Sequence, residues 1–144
     1  VREDQARTVR DQQPVVNFNP AAQLSGEEMV ELWRLRDATG NDSELMTEMI
    51  KLFIRETERG IDEIRTALGR MDAKSLASSA HGVKGACANM GVATMKETAD
   101  DLEKMGMEGD LSAAPATFNA MLAHYGKVED YLQSVIREMG GGPG

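Results

Sequence analysis

From Glu27 to Met139 the apolar residues recur every three or four positions, and no stretch alternates apolar with polar. That period belongs to α-helices buried along one face and leaves no signal for a sheet. Ser25 followed by Glu28 has the spacing of a capping box and opens a short helix with Met29, Leu32, Trp33 and Leu35, ended by Gly40. Asn41 with Glu44 offers the next start. Leu45, Met49, Leu52, Phe53, Ile61, Ile64 and Leu68 then keep helical spacing to about Arg70, and Gly60 inside this run marks close packing or a bend. Asp72 caps a third helix whose Leu76, Ala80, Val83, Cys87 and Met90 form one stripe, with Gly91 as its stop. A fourth helix carries Met95, Ala99, Leu102 and Met105 and is closed by Gly106 and Gly109. The last runs from Leu111 to Met139 with Phe118, Leu122, Tyr125, Leu132, Val135 and Ile136 on one face. Four long amphipathic helices with short connections predict an all-α, antiparallel four-helix bundle, with the additional short N-terminal helix across one end.

The ends read differently. Residues 1–24 are charged and polar with Pro14 and Pro20, and are expected to be a flexible arm or linker with Val15, Val16 and Phe18 as apolar anchors. The bundle occupies 25–139. Residues 140–144, GGGPG, are expected to be a disordered tail. No apolar run is long enough to span a membrane and no signal peptide opens the chain, so a cytoplasmic protein is expected. A net charge of −8 argues against nucleic-acid binding. The single cysteine excludes an internal disulfide and reads as a buried thiol.

The segment AHGVKGACANMG, residues 80–91, places three glycines in a helical pattern beside one of only two histidines in the chain. Each interior glycine costs a helix about 1 kcal/mol relative to alanine. On a wheel of roughly 100° per residue, His81 lies about 140° from the apolar stripe and faces solvent. Its helical neighbours are Ala77, Ser78, Lys84 and Gly85, with Ala88 one turn further. All are small except one cation. A solvated face ordinarily carries long charged side chains, and a lone exposed histidine is most often an ordinary surface residue. Here the ground around the imidazole is cleared, which suits the approach of another macromolecule, and Lys84 suits an anionic group such as a phosphoryl. His124 is an internal control. It too has a lysine three residues on, Lys127, but Ala120, Met121 and Val128 make no clearing.

Other chemistries fit poorly. Two histidines and one cysteine do not supply a zinc site, and no metal site is expected. No glycine pattern forms a phosphate loop after a strand. Cys87 and His81 face apart, so they form no nucleophile pair. Asp100, Asp101 and Glu103 could suggest acid/base catalysis, but such a run is more often a solvated helix face.

His81, Lys84, Gly85 and Gly91 occupy the histidine, the +3 lysine, the +4 glycine and the +10 glycine of a known pattern. The segment closely resembles the signature of histidine-containing phosphotransfer (HPt) domains, and Leu102-Glu103 matches an acidic position seen in many members. The resemblance runs from near Glu27 to Met139. Gly82 departs from the bulkier residue usual after the histidine, and Val83 replaces the common leucine; local loosening of the helix is expected from these.

The resemblance implies a phosphorelay intermediate. His81 would accept a phosphoryl group from the aspartyl phosphate of a receiver domain, in a response regulator or hybrid sensor kinase, and pass it to another receiver. Lys84 would stabilise the phosphate, Gly85, Ala77, Ser78 and Ala88 would clear the docking ground, and Glu103 is a candidate to orient the ring. No cofactor is expected on this chain, since the receiver brings the Mg²⁺. It would be a monomeric phosphocarrier without an ATP site, an enzyme only by definition. The alternatives are the phosphotransfer domain of a chemotaxis-type kinase, phosphorylated by an ATP-bound catalytic domain, and a helical adaptor without phosphate chemistry. Asp100 stands where the chemotaxis type commonly has a second histidine.

Overall fold

The computed structural model describes residues 24–140. The arm expected at 1–24, except Leu24, and the tail after Gly140 lie outside the described residues. Among the described residues six helices follow one another: α1 Gly26–Met29, α2 Leu32–Thr39, α3 Ser43–Gly69, α4 Ala73–Met90, α5 Ala93–Glu108 and α6 Ala114–Glu138. Helices α3 to α6 form the antiparallel four-helix bundle. Each packs on the next, α6 returns to α3, and the α4–α5 contact is the most extensive. The tight connections leave successive helices no choice but to reverse direction.

The caps explain where the long helices begin and end. Asp72 accepts from the Ser75 amide at 3.0 Å, and Gly91 closes α4 in the left-handed conformation at φ 77°. Asn41 does not start α3: it sits at φ 65°, and Asp42 caps the helix by accepting from the Leu45 amide at 3.1 Å. The expected single N-terminal helix is two. Ser25 and Glu28 do form a capping box, but Met29 and Val30 are both buried and the Glu31 amide leaves the helix to donate to the Gly91 carbonyl at 3.0 Å. That bond ties the N-terminal segment to the end of α4.

The core contains Ile50, Ile64, Leu76, Val83, Cys87, Met95, Leu102, Met121, Val128 and Leu132, all fully buried. Each large side chain of this kind contributes roughly 1.5–3 kcal/mol on leaving water. Three helical positions differ from the sequence expectation: Trp33, Leu45 and Leu52 are exposed. Leu32 and Leu35 take the inner side of the short α2, and Met46, Ile50 and Phe53 that of α3. On α6 Met121 is fully buried, and its neighbour Leu122 lies at the margin.

Two glycines are packing residues. A β-carbon on Gly60 would stand 2.4 Å from the Val83 side chain, so this glycine brings α3 onto α4 within an unbroken helix. Gly106 does not close α5. It lies buried within it, against the backbone of Ala73 and Ala77, and Gly109 is the terminator at φ 79°.

His124 is buried, and its Nδ1 finds no hydrogen-bond partner among the described residues. Burial, and after it the charge of Lys127, hold its ionisation below the ordinary 6.5, against a smaller opposing pull from Glu97. The unfolded chain therefore takes up this proton first as pH falls. The stability owed to neutral His124 is complete above about pH 6.5 and is lost as pH drops through that value toward the folded-state ionisation. A His124→Leu variant should lose that part of the acid dependence. An unchanged profile of denaturant midpoint between about pH 7 and pH 5 would show that His124 titrates alike in both states.

Candidate functional site

Helix α4 presents His81 outward with 70% of its side chain exposed. The residues around it that are open to solvent are Ser78, Gly82 and Gly85. A β-carbon at Gly82 or Gly85 would meet nothing within 4 Å, so neither glycine is there for packing. Ala77 and Ala88 are half-buried at the margins. Ala77 lies under Gly106 of α5, and the Ala88 carbonyl is 3.5 Å from the Arg34 guanidinium of α2.

The imidazole is held from the next helix. His81 Nδ1 lies 2.9 Å from Oε2 of Glu103, which is only 15% exposed. The other carboxylate oxygen, Oε1, is 2.6 Å from Lys84 Nζ. One carboxylate therefore bridges the ring and the ammonium. The Lys84 hydrogen bond, supported by that of His81, holds Glu103 below the usual carboxylate range against the opposing effect of burial. Glu103 is thus an anion that only accepts, so Nδ1 carries the proton and donates it to Oε2. In the neutral ring the lone pair then belongs to Nε2, the nitrogen not engaged by Glu103.

Lys84 has a second partner. Its ammonium donates to Asp100 Oδ1 at 3.2 Å, and Lys104 lies 3.0 Å from Asp100 Oδ2. The bonds to Glu103 and then Asp100 push the Lys84 ionisation up, so the ammonium stays charged throughout the working range. Lys104, and then Lys84, hold the Asp100 carboxyl down. The run Asp100-Asp101-Glu103 is thus not simply a solvated face: Asp100 and Glu103 turn toward α4. The sequence signal for this was their i,i+3 spacing, which periodicity on one helix cannot connect to Lys84 on another.

Cys87 is buried, its thiol pushed up to about 12 by desolvation, and it takes no part. Among the described residues no group of three or more His, Cys, Asp or Glu side chains could hold a metal ion. No helix among them is long and apolar enough to cross a membrane.

This geometry can be set beside known proteins. A family model described as the Hpt domain matches residues 48–138, which span α3 to α6 and contain His81, Lys84, Gly85 and Glu103. The chain belongs to the Hpt domain family. The Hpt domain is a histidine phosphotransfer intermediate of phosphorelays, and the bundle seen here is its fold. The crystal structure of histidine-containing phosphotransfer protein B (HptB) from Pseudomonas aeruginosa PAO1 is similar, with a TM-score of 0.71 and 24% identity. The match covers 76% of this chain and 96% of that one, and it bears on the fold alone. No curated protein matches the chain in sequence.

Proposed function

We propose that this Hpt domain carries a phosphoryl group on Nε2 of His81, taking it from the aspartyl phosphate of one receiver domain and giving it to another. The observation that carries this reading is the single Glu103 carboxylate set between His81 Nδ1 and the Lys84 ammonium. The Nε2 lone pair attacks phosphorus, the bond from phosphorus to the aspartyl oxygen breaks, and the aspartate leaves as a carboxylate. The ring, still protonated at Nδ1, gains positive charge as the new bond forms. Glu103 already faces that charge, so its stabilisation grows during the reaction without reorganisation. The reverse step regenerates the neutral ring. The transferred group carries about −1.5 to −2. An ammonium some 4 Å away attracts each unit of charge by about 4 kcal/mol at a surface-like dielectric, before desolvation and screening. Mg²⁺ belongs, on this reading, to the receiver's acidic pocket.

The receiver also needs a surface to rest on. On α3, Leu45 and Leu52 are exposed on either side of the half-buried Met49. An apolar groove of about 150 Å³ runs from Met49, Leu52 and Phe53 to Ala86, Asn89 and Met90, further along α4 from His81. We assign this strip and the open ground at Ser78, Gly82 and Gly85 to the receiver.

The test is phosphoryl transfer from an aspartyl-phosphorylated receiver to the purified chain, with acid-labile label expected on the chain. Label that appeared only with an ATP-bound chemotaxis catalytic domain would move the chain to that class of kinase, and no label from either would leave an adaptor. Gly85→Ala should raise stability by up to about 1 kcal/mol, since the position is helical and the new methyl meets nothing. Gly85→Gln should slow transfer from a receiver while phosphoramidate, a small donor, still labels His81. Normal receiver transfer in Gly85→Gln would show that the clearing has no part in docking.

A further inference from the structure

Lys84 is already shared between two anions. In the unmodified chain its ammonium lies 2.6 Å from Glu103 and 3.2 Å from Asp100, both on α5. Phosphorylation of His81 would add a third and stronger anion on the α4 side. An ammonium is a point charge with three donors on a flexible stem, so it can turn toward the phosphoryl group, and any displacement toward α4 lengthens its contacts to the carboxylates on α5. Which carboxylate loosens is decided by geometry. The Glu103 contact is the shorter, and Glu103 is 15% exposed against 35% for Asp100. Glu103 must also stay paired because it holds the ring. Asp100 has a substitute at hand. Lys104, one turn on, is 3.0 Å from its other oxygen, with the acid N-terminal to the base as helix pairs prefer. Asp100 can release Lys84 without being left as an unpaired anion.

We infer that Asp100 is a positioning residue that competes with phosphohistidine for Lys84 and thereby lowers the stability of the phosphorylated state. The inference rests on His81 being the acceptor. It gives the site a property a carrier needs, because a group held too firmly would be accepted and not passed on. Surface ion pairs of this kind shift an equilibrium by up to about fivefold.

The test uses phosphoramidate with added ammonium as the donor system. The Nε2 lone pair attacks phosphorus, the bond from phosphorus to nitrogen breaks and ammonia leaves, so the phosphorylated fraction at fixed concentrations measures how well phosphohistidine is stabilised. Four chains are compared by intact mass: the parent, Asp100→Asn, Lys84→Gln and the double variant. Asp100→Asn should raise the ratio of phosphorylated to free chain by up to about fivefold, and Asp100→Glu should restore the parent value. In the Lys84→Gln background the Asp100→Asn change should do nothing, since there is no ammonium left to release. An unchanged ratio in Asp100→Asn overturns the inference. So does an equal rise with and without Lys84, which would mean simple repulsion between Asp100 and the phosphoryl group. A parent that takes no label on His81 overturns the carrier reading, and this inference with it. A parent that labels beside an indifferent Asp100→Asn overturns the inference alone.

Discussion

His81→Gln is expected to abolish phosphoryl acceptance from both a receiver and phosphoramidate, while the bundle folds as before. Glutamine tolerates helices and, at a side chain 70% exposed, removes no packing, so stability should move by no more than about 0.5 kcal/mol. Its amide can still donate to Glu103, so the neighbouring charges stay paired. What would disappear is the nitrogen proposed as the nucleophile. The second histidine offers no detour, because His124 is buried on α6 and would have to leave the core to meet a donor. His124→Gln should accordingly keep full labelling per folded molecule. Acid-labile label persisting in His81→Gln at the parent's level would sink the assignment of the acceptor.

Gly106→Ala should be strongly destabilising. A β-carbon there would stand 2.6 Å from the Ala73 carbonyl oxygen, 2.6 Å from the Ala77 amide nitrogen and 3.0 Å from the Ala77 α-carbon. These are backbone atoms and cannot rotate aside, so α4 and α5 must separate. Overpacking of this kind costs about 1–3 kcal/mol, and the upper end is expected where two helix backbones carry the clash. For a domain of this size that is a fall in melting temperature of roughly 10 °C. The helix preference of alanine over glycine, about 1 kcal/mol, works in the opposite direction and is outweighed. The site should suffer as well. Glu103 is three residues from Gly106 on α5, and its 2.9 Å contact to His81 spans the two helices being forced apart. Slower transfer is therefore expected together with the lower melting point. An unchanged melting temperature would show that the helices can part there at little cost. The contrast with Gly85→Ala, expected to stabilise, is the informative pair: the same substitution on adjacent helices, with opposite signs.

Much of this was legible in the chain. The caps at Asp72 and Gly91, the buried stripe Leu76–Ala80–Val83–Cys87–Met90 and the outward direction of His81 follow from local chemistry. A helix of 3.6 residues per turn sorts its own side chains into faces, so a single segment suffices to read them. The antiparallel bundle follows in turn from the short connections.

The tertiary structure decided everything that depends on how one helix stands against another. Gly85 and Gly106 both lie within helices, although the apolar pattern puts Gly106 at the end of its run. One has open space above it and the other the backbone of α4, because axial register and interhelical distance are set by the packing of the whole core. The same register brings Glu103 to His81 and Asp100 to Lys84, turning an acidic run with the look of a solvated face into the partner of the site. It buries His124 and leaves Leu45 and Leu52 exposed, although both leucines kept helical spacing. The period of a helix determines which residues share a face; only packing against its neighbours determines what that face meets.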